Sequence, residues 1–386
     1  MEKHLPPPDR KKVEDALKAV ASSPDYSPPQ RADAADALDR LGYTPEGLHR
    51  FIPIPTPQSP NYYIAQYPVT NAQYERFLKS GDFAEERFWT AFPKFSHPKE
   101  GKGDELRLET IAYIGDWGDE GWEWYSNPKD FWADKVLKDD AGVIYPRYWH
   151  DPRFGIARRG VPVVSITWYE ANAYCKWLAE HWGEREEARE NPELDPAQLT
   201  FRLPTEAEWI AAASPPLPVG EGLGVRGDEP EDRYPWDDGI RAKDDREDIT
   251  RRANVDESKI GRTTPVWMYP LGVSPRGVWD LGGNVWEWQA NFYDKDQYAL
   301  RGGFWYIGLN LARLAVRRRH DPDGWYSGLG FRVVAAFSTL FSPRRKCNVA
   351  ERLHCRGHVE EWRGAFLAAT LTTSALLSAS PSPSIC

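Results

Sequence analysis

Three arrangements of carboxylates, thiols and imidazoles in this chain could do chemistry. Glu206 and Glu208, two apart in Arg202-Leu203-Pro204-Thr205-Glu206-Ala207-Glu208-Trp209, could pass for a general acid–base pair. Glu287 sits between two indoles in Gly283-Asn284-Val285-Trp286-Glu287-Trp288. Cys347, His354, Cys355 and His358 near the C-terminus are of zinc-ligand type. Each also has a plainer reading. As first-turn residues of a helix, Glu206 and Glu208 are explained by capping and by the helix dipole. In an extended segment Trp286 and Trp288 share one side and Glu287 points to the other, so the acid needs an Arg or an oxygen-ligated cation beside it. The Cys and His spacing in the tail is no standard finger pattern.

Local signals show how these residues are positioned. Thr70-Asn71-Ala72-Gln73, Thr167-Trp168-Tyr169-Glu170 and Thr205-Glu206-Ala207-Glu208 each match a capping box and predict three helix starts. The second helix carries Ala171, Tyr174, Cys175 and Leu178 at helical spacing, which makes Cys175 a core thiol. Residues 1–50 read as a helical lead-in, with amphipathic helices over 9–21 and 29–41, and 51–60 as a Pro-rich entry strand or linker. Residues 82–155 are an aromatic and charged excursion, 183–198 a solvated charged loop, and 214–232 a flexible Gly/Pro-rich stretch, the last two together forming an insert over 183–232. A tail of changed composition covers 338–386.

Composition limits the function classes. The 386 residues include 18 Trp, 18 Tyr and 15 Phe, enough apolar surface for a sizeable core, while 30 Gly and 33 Pro predict a loop-rich fold. A net charge of −9 argues against nucleic acid as a partner. Cys175, Cys347, Cys355 and Cys386 have no disulfide-framework spacing and the N-terminus has no signal-peptide pattern, so a cytoplasmic home is expected. The apolar run at 364–378 is short for a bilayer and rich in Ser and Thr, so no membrane partner is expected.

Several stretches agree in order and spacing with one family. They are Tyr67-Pro68-Val69-Thr70-Asn71, Pro162-Val163-Val164-Ser165-Ile166-Thr167-Trp168, the RLPTEAEW run at 202–209, the Gly277–Trp288 run ending in GNVWEW, Arg301-Gly302-Gly303 and Gly330-Phe331-Arg332. Over roughly 51–337 the chain resembles the formylglycine-generating-enzyme/sulfatase-modifying-factor domain. That resemblance implies an α+β, C-type lectin-like fold, loop-rich, with short antiparallel strands and two or three helices. It further implies a structural calcium held by the residues matching Asn284 and Glu287, no other cofactor being required. Formylglycine-generating members oxidise a substrate Cys with copper bound by two cysteines in the last third of the domain, and residues 301–334 contain no Cys. Related ergothioneine-pathway enzymes need an added His-rich iron domain, and the eight His here are scattered. The enzyme reading loses its chemistry, so no catalytic residue is assigned.

The same fold is used by variable proteins of diversity-generating retroelements, whose last segment has the form RGGSW…R.A.R…NPD.R…GFR. This chain resembles them through Arg301-Gly302-Gly303-Phe304-Trp305, Arg313, Arg317, Asp321-Pro322-Asp323 and Gly330-Phe331-Arg332. In such proteins, mutagenic copying replaces template adenines, chiefly in Asn codons. Altered only at its adenines, an Asn codon cannot become Lys, Glu, Gln, Met or Trp; 301–334 contains none of the first four, and Trp325 would come from an Arg codon. The resemblance implies a non-catalytic protein with a diversified ligand-binding surface. Phe304, Tyr306, Ile307, Leu309, Asn310, Arg318, His320, Gly324, Trp325, Tyr326 and Ser327 would form that surface, with aromatic anchors and small residues as in a paratope. Gly302, Gly303 and Gly330 would fix the loop by backbone freedom, and Arg317 and Arg332 by hydrogen bonds to loop carbonyls. The partner expected is a protein or other macromolecule; its identity is not written in the sequence. The alternatives are a sulfatase-modifying-type oxidase and a fixed-ligand recognition domain of a signalling or defence system.

Overall fold

The computed structural model describes residues 7–55, 62–101, 106–128, 138–184, 186–214, 233–237 and 245–337. The Cys and His of the tail, and all but the first residue of the Gly/Pro-rich stretch at 214–232, lie outside them.

Capping chemistry explains where the principal helices begin. The hydroxyls of Thr70, Thr167 and Thr205 accept from the backbone N–H three residues on, and Gln73, Glu170 and Glu208 reach back to close each box. These boxes start α3 (Asn71–Leu78), α5 (Trp168–Glu180) and α7 (Glu206–Ala213). Shorter helices α4 (Glu120–Ser126) and α6 (Glu186–Glu190) lie in the intervening chain, and α8 (Arg246–Arg252) follows α7. Ahead of them come α1 (Pro7–Ser22) and α2 (Pro28–Arg40), which pack on Trp267, Met268 and Tyr269. Asp36 of α2 is buried and pairs with both Arg158 and Arg262. The lead-in is therefore docked on the body through an apolar seam and a buried ion network.

Two sheets carry the fold. In the first, β1 (Phe51–Ile54), β2 (Tyr62–Ala65), β12 (Val334–Phe337) and β7 (Leu199–Arg202) pair in that order, all antiparallel, so the last described strand closes beside the second. The second runs β10 (Arg318–His320), β9 (Tyr298–Arg301), β8 (Trp286–Phe292), β3 (Pro93–Phe95), β6 (Tyr113–Asp116). In it β3 and β11 (Leu329–Gly330) both lie parallel to β8. A small ribbon joins β4 (Lys99–Glu100) to β5 (Leu106–Arg107). The excursion at 82–155 thus contributes two strands to the sheet that bears GNVWEW.

The core is built of rings. Trp89, Trp168, Trp177, Trp182, Trp209 and Trp288 are all fully buried. Tyr74 stacks on Tyr174 at 5.6 Å and Trp168 on Tyr298 at 4.0 Å, pairs that each add about 1 kcal/mol beyond area burial. Cys175 is buried among them, and burial pushes its thiol pKa well up, so it packs as a small apolar side chain.

One expectation fails at 183–198. Glu187 of α6 is buried, with His49 on one side and Arg76 on the other, and Asn191 is buried too, accepting from Phe51 N and donating to the His49 carbonyl. The charge run suggested solvent, but its partners come from elements more than a hundred residues earlier.

Candidate ligand-binding surface

Three buried anchors hold residues 301–334. At the first, Glu206 lies behind the Thr205 cap, fully buried, and takes both Arg301 and Arg317. Arg301 Nε donates to Oε1 at 2.7 Å, and Arg317 donates to both carboxylate oxygens at 2.7 and 2.6 Å. Burial works to raise the Glu206 pKa, and the two guanidiniums outweigh it and hold the carboxyl below its ordinary range. Arg301 Nη1 also donates to the Leu314 carbonyl at 2.8 Å. The partner of Arg317 is thus a carboxylate, where loop carbonyls were expected, and Glu206 is more than a dipole residue.

At the second anchor, Arg332 donates to both oxygens of Glu287 at 2.7 Å, with both side chains fully buried. Trp209 Nε1 donates to Glu287 Oε2 at 2.9 Å, and Arg332 reaches the Ala65 and Trp279 carbonyls. Asn284, at a φ of 62°, uses Oδ1 for the N–H groups of Thr264 and Asn254, and Nδ2 for the Thr264 carbonyl and Asp280. These contacts do not fit the calcium implied for Asn284 and Glu287. The guanidinium neutralises the only carboxylate of the pair, and the Asn oxygen already accepts two N–H groups. Among the described residues, no group of three or more His, Cys, Asp or Glu could hold a metal. Asp280, beside this network, is buried and has its pKa pushed up to about 8, by burial above all and also by Glu287.

The third anchor is backbone. The Pro322 carbonyl accepts from Trp168 N, the first helical N–H of α5, at 3.0 Å, and Gly324 N closes a turn on the Asp321 carbonyl. Gly302 and Gly303 have φ of 102° and 85°, in the left-handed region. Gly330 serves differently: a Cβ there would lie 2.7 Å from the Val163 carbonyl. Across the segment, Trp305 Nε1 donates to the Ser327 carbonyl at 3.1 Å, tying its two halves together.

Between these anchors the outer side chains form one face. Tyr306 is 66% exposed, Asn310 and Arg318 are exposed, and Phe304, Ile307, Leu309, His320, Gly324, Trp325, Tyr326 and Ser327 are half-buried. Phe304 meets Tyr326 edge-on at 5.6 Å, and Tyr326 stacks on His320 at 5.8 Å. Gly324 lies against the His320 ring and Gly328 against Phe304, where a Cβ would overlap. Burial lowers the His320 pKa and raises that of Tyr326, so both rings are neutral at pH 7. Ile307 and Leu309 stand to one side, where the Ile307 carbonyl accepts from Asp256 N and Leu309 N donates to Glu257.

Sequence reasoning missed the neighbours. Tyr148 meets Trp325 edge-on at 6.1 Å, and the Arg147 guanidinium lies 5.6 Å from the Trp325 ring while pairing with buried Glu170. The aromatic run Tyr148-Trp149-His150 was the available signal.

A family model of the sulfatase-modifying factor enzyme 1-like domain matches residues 41–337. The chain belongs to that family. Mouse inactive C-alpha-formylglycine-generating enzyme 2 is 28% identical over 288 residues, covering 70% of this chain and 73% of the relative. Hercynine oxygenase of Mycolicibacterium thermoresistibile is 23% identical, covering 68% of this chain and 48% of the relative. The chain spans 35% of the serine/threonine-protein kinase Pkn1 of Chlamydia trachomatis, to which it is 26% identical over 75% of its own length. Among solved structures, PvdO from Pseudomonas aeruginosa aligns with a TM-score of 0.39 at 17% identity, over 74% of this chain and 90% of that one. Treponema denticola variable protein 1 aligns with a TM-score of 0.35 at 17% identity, over 76% and 100%. The fold is the α+β, C-type lectin-like fold of the formylglycine-generating type, and no helix among the described residues is long and apolar enough to cross a membrane.

Proposed function

We propose that this family member is a non-catalytic, cytoplasmic ligand-binding protein. Its face at 304–327 is diversified, as in variable proteins of retroelements, and takes a macromolecular, most simply protein, ligand. The observation that carries the reading is a division of labour within one segment. Arg301, Gly302, Gly303, Gly330, Phe331 and Arg332 are buried, while none of the eleven side chains assigned to the face is. Tyr306, Trp325 and Tyr326 supply rigid aromatic area, and Ser327 adds a small polar side chain. The absence of Cys from the segment and the likeness to a mouse relative that is named inactive point the same way.

The test is genetic and cheap. Neighbouring DNA should hold a near-copy of codons 301–334 with adenines at the face positions, beside a reverse-transcriptase gene. If the copy is missing, the surface has a fixed ligand. Copper- or iron-dependent oxygen uptake with a Cys-containing peptide would overturn the non-catalytic reading in favour of an oxidase.

A further inference from the structure

A second concave site lies beside the proposed face and is built almost wholly from other residues. Trp117, Tyr169, Phe292 and Tyr298 wall a cavity of about 110 Å3, with Lys295 and Asp296 on its rim and Pro322 at its edge. The walls are mutually braced: Phe292 stacks on Tyr298 at 5.0 Å, Trp117 meets Phe292 edge-on at 5.7 Å, and Tyr169 stacks on Trp124 at 5.5 Å. The volume is too small for a drug-sized ligand, which needs at least about 300 Å3, and suits the end of one side chain.

We propose that this cavity binds an alkylammonium, the end of a lysine side chain presented by a protein partner, independently of the reading of the outer face. Aromatic faces attract cations through their quadrupoles. Acid dominates the surroundings. Asp323, Glu120 and Glu123 act on Tyr169, whose pKa burial and these carboxylates raise to about 12, and Glu120 acts on Tyr298 as well. Lys295 and Asp296 line the cavity, and the Lys94 ammonium lies 3.8 Å from the Trp117 centroid. Lys94 also shows that this wall accepts an ammonium.

The experiment uses the 15N-labelled full chain at fixed ionic strength and follows the Trp117 indole N–H resonance, identified by its loss in Trp117→Phe. Titration with n-butylammonium should shift it saturably, whereas 1-butanol and sodium acetate should not. Tyr169→Ala should abolish saturation. Glu120→Gln, which removes charge with little change of shape and carries the test should Tyr169→Ala fail to fold, should weaken binding by about threefold. A peptide with one exposed lysine should compete. Equal saturation by 1-butanol, saturation by acetate, or a purely linear drift with n-butylammonium would overturn the cation site; saturation without peptide competition would overturn the protein source.

Discussion

Of the six arginines between 301 and 334, five divide into two populations. Arg301 and Arg332 are buried and Arg317 is mostly so, and all three pair with a fully buried glutamate. Arg318 and Arg319, next in the chain to Arg317, are exposed, and Arg319 pairs with half-exposed Asp294. The same side chain fixes the trace in one place and decorates it in the other. The difference is whether a carboxylate from a distant element waits in a low-dielectric site. Such pairs do little for net stability against an apolar substitute, yet removing one partner strands a charge. That makes them good at enforcing one backbone path and poor sites for variation.

The contrast can be broken most severely at its buried end. Arg332→Ala leaves Glu287 charged and enclosed, and should cost about 4 kcal/mol in urea unfolding, against no more than about 0.5 kcal/mol for Arg318→Ala. Equal costs would remove the distinction. A second, smaller effect concerns Asp280 beside the same network. Its folded pKa of about 8 lies above the unfolded value of 3.8, so the native state holds the extra proton and stability falls as pH rises between them. The loss from pH 6 to pH 8 should be about 2 kcal/mol at this group, and Asp280→Asn should flatten the curve by that amount relative to the parent. Thr205→Ala, which removes the cap in front of Glu206, should cost about 1 kcal/mol and raise exchange of the first α7 amides. Smallest of all, Tyr306→Ser and Asn310→Tyr should each change the unfolding free energy by less than about 0.5 kcal/mol. Tyr306→Ser should nonetheless weaken ligand capture, if the outer face is the binding face.

What could be read ahead of the structure followed the range of the interaction. The helix starts at Thr70, Thr167 and Thr205 were legible because donor and acceptor are three residues apart. Cys175 was legible because its neighbours repeat at helical spacing. The need of Glu287 for a partner was legible, but not the choice between guanidinium and cation, because Arg332 is 45 residues further on. Glu206 was under-read for the same reason, since its arginines lie 95 and 111 positions away. Arg147 and Tyr148 were missed because their contact with the outer face arises only when the excursion folds back.

The sequence by itself determined the family, the capped helices and the ring-rich core, since these rest on local spacing and composition. Tertiary structure alone decided which arginine meets which glutamate, that the charged run at Glu187 is partly buried, and that an aromatic cavity opens beside Pro322. The reason is dielectric and geometric: a charge or ring acquires its role from what encloses it, and enclosure is made by elements that the linear order keeps apart.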